Sequence, residues 1–293
     1  MHLFAAAARS ATGLLDTAHR SARGLKLGDA VEWAARIGYG SRGFVYLSAG
    51  ALTLLAATDR IGSAAGSSGA AGWLAGQPYG RLWLVLLGIG LWAFVLWRVI
   101  QSVFDADHEG TSWKGWMARG GQALSGLFYG LLAATVFEYL DEYGGRSEAE
   151  DVAENQEKAA TLLALPFGQW LLLLAGLAIL AVGVGNIIRA LRDEFTETLA
   201  CSAKTCRRVA PLARIGYGAR GFAYLPLAAF VILAGLRDSP EPVTSFGAAL
   251  EALEAQPGGS FALGLTALGM IAFGTFAFVE ARWRRIRPPR ELG

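Results

Sequence analysis

Polar and apolar positions alternate along this chain on a scale too long for a globular core. Ala159 to Ile188 holds no charged residue over 30 positions, and Ala255 to Val279 holds none over 25. A helix that crosses a bilayer needs about 20 such residues. Leu82 to Trp97 is a third uncharged run, bracketed by Arg81 and Arg98 and continued by Val99 and Ile100. Gly43 to Thr58, Gly120 to Phe137 and Gly221 to Leu236 are shorter. They reach spanning length where arginines at their starts extend toward the interface. The pattern predicts an all-α polytopic membrane protein with six transmembrane helices.

The runs also repeat. "ARIGYGSRGFVYL" at 35–47 returns as "ARIGYGARGFAYL" at 213–225, 178 positions on, with a weaker copy, "ARGGQALSGLFYG", at 118–130. Without gaps these align Arg36, Arg119 and Arg214, then Gly43, Gly126 and Gly221, then Tyr46, Tyr129 and Tyr224. The even-numbered runs align on Pro78, Pro166 and Pro257. Internal repetition at so long a period outranks local propensity, and it predicts three helical hairpins: 35–104, 118–190 and 213–287. Loops 105–117 and 191–212 join them, and 1–34 precedes them. Two spans per repeat send every repeat into the membrane in the same direction, so the repeats are expected around an approximate threefold axis along the membrane normal, a parallel arrangement and not an inverted one.

Composition agrees: 54% of residues are hydrophobic and 17% charged, against roughly 25% charged in soluble domains. The net charge of +2 conceals an asymmetry, because 21 of the 26 Lys/Arg flank the ends of the runs on the side of the two termini. The positive-inside rule makes that side cytoplasmic, with both termini, in a multi-pass membrane protein. Basic residues there meet anionic headgroups of membrane lipids, not nucleic acid. On the other side lie an acidic loop, "DEYGGRSEAEDVAENQEK" at 141–158, and a Gly/Ser/Ala-rich stretch from Gly62 to Gly72 that reads as a flexible loop. The N-terminus has no basic segment before its small apolar patch, so no cleaved signal is expected. Leu14, Ala18, Ala22 and Leu25 share one helix side, opposite Asp16, His19, Arg20 and Arg23. This suits either an amphipathic helix on the inner leaflet or a disordered tail.

The pattern R-x-G-Y-x-x-R-G-x-x-Y opening the outer two repeats, with "DADHEGTSWKG" at 105–115 and "EARWRRI" at 280–286, resembles the bacterial membrane proteins grouped as domain of unknown function 1206. The resemblance covers roughly residues 30 to 287. It implies a six-helix inner-membrane protein of three repeats and brings no established activity. The middle repeat departs from it, with Gln122 and Ser125 where the outer copies have Tyr39 and Arg42, or Tyr217 and Arg220.

Helix positions three, four and seven apart share a face, so Tyr39, Arg42, Gly43 and Tyr46 form one stripe and Tyr217, Arg220, Gly221 and Tyr224 another. In one reading these are interfacial tyrosines, snorkelling arginines and packing glycines. In the other they line a basic cytoplasmic vestibule that attracts a small anion. Twenty-three residues beyond the repeat prolines stand Gln101, Arg189 and Glu280: an amide, a cation and an anion at one repeat position. Glu280 is expected to pair with Arg42 or Arg220, or to take part in a proton or ion relay.

No constellation for catalysis, metal or cofactor emerges. Cys201 and Cys206 lack a nearby histidine and read as free thiols; His108, in "DADHEG", is a weak metal candidate. Glu138, Asp141 and Glu142 read as a solvated helix end. Two function classes remain: a small conduit or carrier, and a non-transporting scaffold that engages lipid or a protein partner. Enzyme activity is not expected, since no nucleophile with a base or paired carboxylates appears at membrane depth. The charge asymmetry makes a topological prediction. A cysteine placed in 141–158 reacts with impermeant thiol reagents in intact cells, whereas Cys201 and Cys206 do not; the opposite labelling reverses the orientation.

Overall fold

The computed structural model describes residues 2–58, 67–140, 148–192, 195 and 197–286, with side chains from residue 28 onward except 67–69 and 148. Nine helices occupy these residues: α1 His2–Ala56, α2 Ser67–Ala75, α3 Gly80–Phe104, α4 Trp113–Glu138, α5 Glu148–Leu163, α6 Gly168–Arg192, α7 Ala203–Arg237, α8 Phe246–Glu254 and α9 Gly259–Trp283. Each repeat is therefore a three-helix unit and not a simple hairpin, with a short helix between two long ones. The expected outer loops are partly helical. Residues 67–72 open α2 and 148–158 lie in α5, while 59–66 and 141–147 lie outside the described residues. Segment 148–163 is rich in Glu, Ala, Gln and Lys, all strong helix formers, and Glu154 pairs with Lys158 one turn on. The proposed amphipathic stretch belongs to the backbone of α1, but its side chains are outside the described residues.

The repeat prolines mark one corner made three times. After each comes a residue in the left-handed region: Tyr79 (φ 62°), Phe167 (φ 64°) and Gly258 (φ 77°). A glycine then opens the long helix. A Cβ on Gly80, Gly168 or Gly259 would run into carbonyl oxygens of the preceding short helix, those of Leu74, Leu163 and Leu253 among them. The motif Pro-x-Gly is thus a steric requirement for turning the short helix directly into the long one.

Five helices, α3, α4, α6, α7 and α9, are long and apolar enough to cross a membrane. They bare large apolar side chains, including Leu86 and Trp92 on α3, Leu127 on α4, Leu174 on α6, Phe222 on α7 and Leu268 on α9. Water-soluble monomers rarely expose so much contiguous apolar surface, and the chain is a multi-pass membrane protein. Helix α1 falls outside that group because glycines, serines, tyrosines and Arg42 dilute its apolar run.

The last helix of each repeat lies against the first helix of the next: α3 on α4, α6 on α7, and α9 on α1. Within repeats, α1 also packs on α3 and α7 on α9, whereas α4 and α6 barely touch. Glycines set these spacings, as small residues do where apolar burial gives no driving force. A Cβ on Gly38 would stand 2.6 Å from Phe94 Cα, and one on the equivalent Gly216 would stand 2.5 Å from Phe273 Cα. Between repeats, Gly43 abuts the Gly274 carbonyl, and its equivalent Gly221 abuts that of Gly183; Gly126 meets Arg98 Cβ.

At the arginine-rich end, the α6–α7 connection straps across the end of α9. Ala200 donates its backbone N–H to Trp283 at 2.6 Å, and Arg285 donates to Thr198 at 2.9 Å. This buries Phe195 and Leu199. The reading of Cys201 and Cys206 as free thiols is corrected here: they form a disulfide. Cys206 lies in the first turn of α7, which begins behind the Ser202 cap, and that turn brings the two Cα atoms to 5.7 Å. Their silence toward thiol reagents therefore does not report on sidedness, and a cysteine introduced in 105–112 supplies that control.

The glycine contacts generate a stability prediction. Gly38→Ala and Gly216→Ala lower stability in detergent by roughly 1 to 3 kcal/mol through overpacking. Gly40→Ala, where no atom lies within 4 Å of the new Cβ, is neutral or stabilising. Thermal unfolding compares them, and equal behaviour of all three variants counts against the spacing role.

Candidate functional site

The first arginines of the repeats turn out to be staples. Arg36 donates to the carbonyls of Ala281 (2.8 Å) and Arg282 (3.1 Å) and pairs with Glu32 at 2.6 Å. At the matching position Arg119 donates to the carbonyls of Ser102 (2.7 Å) and Val103 (3.0 Å). Both satisfy carbonyls at the C-terminal ends of α9 and α3, where a cation is also favoured by the helix dipole. Arg214, the third equivalent, is exposed.

Deeper by two turns, Arg42 is 1% exposed. It donates from Nη2 to Glu280 Oε2, and its guanidinium lies about 5 Å from the ring centroids of Tyr39, Phe94 and Phe273. Of the two partners foreseen for Glu280, Arg42 is the one observed. Arg284, one turn beyond Glu280, donates to its other oxygen at 3.0 Å and to Asp107 Oδ2 at 3.1 Å. Asp107 also accepts from Gln101 Nε2 (2.6 Å) and Gln122 Nε2 (3.2 Å), and Gln101 in turn accepts from Arg98 at 3.0 Å. One polar chain thus crosses all three repeats. Of the repeat-equivalent trio, Gln101 and Glu280 belong to this chain, while Arg189 stands over the Tyr217 ring at 5.9 Å.

This chain forms part of the wall of a cavity of about 360 Å³, to which Arg98, Asp107, Gln122, Arg189, Tyr217 and Glu280 contribute. Among the described residues neither Arg98 nor Arg189 pairs with a carboxylate. Burial, and after it the charge of Asp107, raise the Glu109 carboxyl at the cavity rim above its ordinary value. Burial opposes the charge on Arg284, but the Asp107 and Glu280 carboxylates it pairs with outweigh it and hold that guanidinium protonated.

The second stripe makes a different site. Arg220 donates from Nε to Tyr46 Oη at 2.8 Å and from Nη2 to Tyr224 Oη at 3.2 Å, and the two hydroxyls lie 3.1 Å apart. Tyr129, the third repeat equivalent, lies with them in the wall of a smaller cavity of about 150 Å³. Phe273 stands between the two hollows: its ring meets Tyr217 edge-on at 5.0 Å and Tyr46 at 4.7 Å. Of the other outer-repeat tyrosines, Tyr39 accepts from Trp97 at 3.3 Å, and Tyr217 stacks on Phe195 at 4.9 Å.

Sequence reading missed Asp107, Arg284 and Arg98. Arg284 was visible as the i+4 partner of Glu280; Asp107 carried no signal beyond an acidic residue just after a span. His108 meets the Ala106 carbonyl, and among the described residues no three His, Cys, Asp or Glu gather as metal ligands.

Fold and site together define a multi-pass helical membrane protein of three repeats with a charged internal cavity. The chain belongs to the family described as Domain of Unknown Function (DUF1206), whose model matches residues 37–105, 120–193 and 215–284. It is similar to the uncharacterized protein YxxB of Bacillus subtilis (strain 168), at 29% identity over 254 residues, covering 86% of this chain and 90% of that protein. No solved structure matches.

The buried pair lends itself to a double-mutant cycle. Glu280→Gln or Arg42→Gln alone lowers stability by on the order of 3 to 5 kcal/mol, because each leaves an uncompensated buried charge. The double variant costs clearly less than the sum. Denaturant unfolding in micelles measures both, and strictly additive costs would show that the pair is not coupled.

Proposed function

We propose that this protein is a carrier for a small anion, open at its basic end. The observation that carries the reading is the cavity of about 360 Å³, hollow and charged, bounded by helices of all three repeats. Arg98 is buried without a carboxylate partner among the described residues, which packing alone does not require, and ionisable groups inside a membrane domain mark ligand or ion paths. The cavity wall carries Arg98, Arg189, Arg284 and Arg285 beside Asp107, Glu109, Glu197 and Glu280, and since Glu280 also pairs with Arg42 behind it, Arg98 and Arg189 are left as the cations available to an anion. Beyond the cavity, Phe273 and its neighbours close the way, which favours a carrier over an open conduit.

In this reading α1 supplies the sixth span. An approximate threefold axis along the membrane normal is consistent with the cyclic contacts between repeats, and in the same reading the basic end with both termini faces the cytoplasm from the inner membrane. Exposed arginines at that end meet anionic headgroups. The protein is not an enzyme, needs no cofactor and does not engage nucleic acid.

Purified protein in liposomes tests the proposal with chloride, nitrate, phosphate and small carboxylates. The wild type carries at least one of them above empty liposomes, and Arg189→Gln slows it several-fold while keeping its size-exclusion profile. Flux also rises as pH falls toward the raised value of Glu109, because protonation removes a negative charge from the rim; Glu109→Gln flattens that part of the profile. A silent wild type overturns the carrier and leaves the scaffold reading.

A further inference from the structure

The smaller cavity has a donor surplus that nothing among the described residues satisfies. Arg220 is 8% exposed and, among the described residues, has no carboxylate partner; its company is Tyr46, Tyr224 and Phe273, with ring centroids about 5 Å away. An arginine brings five N–H donors and no acceptor. Two of its donors go to the Tyr46 and Tyr224 hydroxyls, and one of those hydroxyls donates to the other, so a tyrosine proton and further guanidinium protons remain. Tyr129 is 3% exposed, and its hydroxyl is buried without a hydrogen-bond partner among the described residues. A buried hydroxyl left unpaired is costly, and three tyrosines from three repeats converge on one cation.

The remaining walls are apolar. Phe128 and Leu132 come from α4, Ile179 from α6 and Met270 from α9, and the hollow lies where α4 and α6 fail to close on each other. Tyr46 and Tyr224 follow Arg36 and Arg214 by ten residues, which places them about 15 Å deeper along their helices, near the middle of a hydrocarbon core about 30 Å thick. Bare inorganic anions are poorly served by such walls. An anion whose charge is confined to one end, with an apolar remainder, matches both halves of the site.

We infer that Arg220, Tyr129, Tyr46 and Tyr224 form a binding site for a monocarboxylate with an apolar tail. Arg220 neutralises the carboxylate and is positioned by Tyr46 and Tyr224. Tyr129 donates the second hydrogen bond, and the tail lies against Phe128, Ile179 and Met270. The inference deepens the carrier reading and rests on it for the route of entry. The ligand reaches the site either from water through the charged cavity, past Phe273, or from the bilayer through the α4–α6 gap.

Calorimetric titration of the purified full chain in neutral detergent tests it, with hexanoate as the water-borne probe and oleate as the bilayer-borne one. One equivalent of carboxylate binds the wild type. Tyr129→Phe, which removes an unpaired hydroxyl and keeps the fold, weakens binding about tenfold, as expected for a hydrogen bond to a charged group. Arg220→Gln abolishes it. Binding of both probes assigns entry from water as well as lipid, and binding of oleate alone assigns the bilayer; either outcome upholds the site. No binding of either, unchanged affinity in Tyr129→Phe, or displacement by chloride at equal concentration overturns it. Flux of inorganic anions with no carboxylate binding removes this inference and leaves the carrier; carboxylate binding with no flux does the reverse.

Discussion

The fold depends on keeping guanidinium groups charged where hydrocarbon surrounds the protein. Arg42 enters the interior on α1, and the only inexpensive way to hold it there is a carboxylate in contact, with aromatic faces in place of water. Glu280 on α9 supplies the carboxylate, and Tyr39, Phe94 and Phe273 supply the faces. That requirement ties repeat one to repeat three. Arg284 and Asp107 extend it to the loop after α3, and Gln122 extends it to repeat two.

Close approach of backbones makes the contact attainable. Gly43 against Gly274, and Gly221 against Gly183, let neighbouring helices meet without intervening side chains, so short polar reaches suffice between them. The repeats share this frame but differ in what they place on it. Where Arg42 meets an acid, Arg220 meets, among the described residues, hydroxyls and rings, and repeat two contributes Ser125. The same scaffold position is thus a structural pair in one repeat and a site with unused donors in another. The weak α4–α6 contact falls in the repeat that departs most from the shared pattern.

Two hollows with Phe273 between them give the interior a graded character. The one at the arginine-rich end carries charged groups of both signs, several of them joined by hydrogen bonds into a network, which suits a group still partly hydrated. The inner one has a single cation among apolar walls, which suits a group that has lost its water. A ligand passing from one to the other would exchange solvent for fixed donors, the usual way a membrane protein lowers the cost of moving charge inward.

The sequence alone determined what depends on local pattern and copy number. Long uncharged runs marked six candidate spans, five of which are helices apolar enough to cross a membrane, and internal repetition showed that the chain is built of three similar units, as the three matched segments 37–105, 120–193 and 215–284 also show. Stripe spacing put Arg42 and Tyr46 on one face. Pro78, Pro166 and Pro257 were visible as landmarks, although their role as corners, followed by a left-handed residue and an obligatory glycine, needed the backbone. Only the tertiary structure decided which helices became neighbours, and everything that joins distant residues follows from that. The choice of Arg42 over Arg220 for Glu280, the recruitment of Asp107, the disulfide of Cys201 with Cys206 and the meeting of Tyr46, Tyr129 and Tyr224 are all of this kind. Periodicity states which face a side chain occupies, but not what stands opposite it across a helix contact.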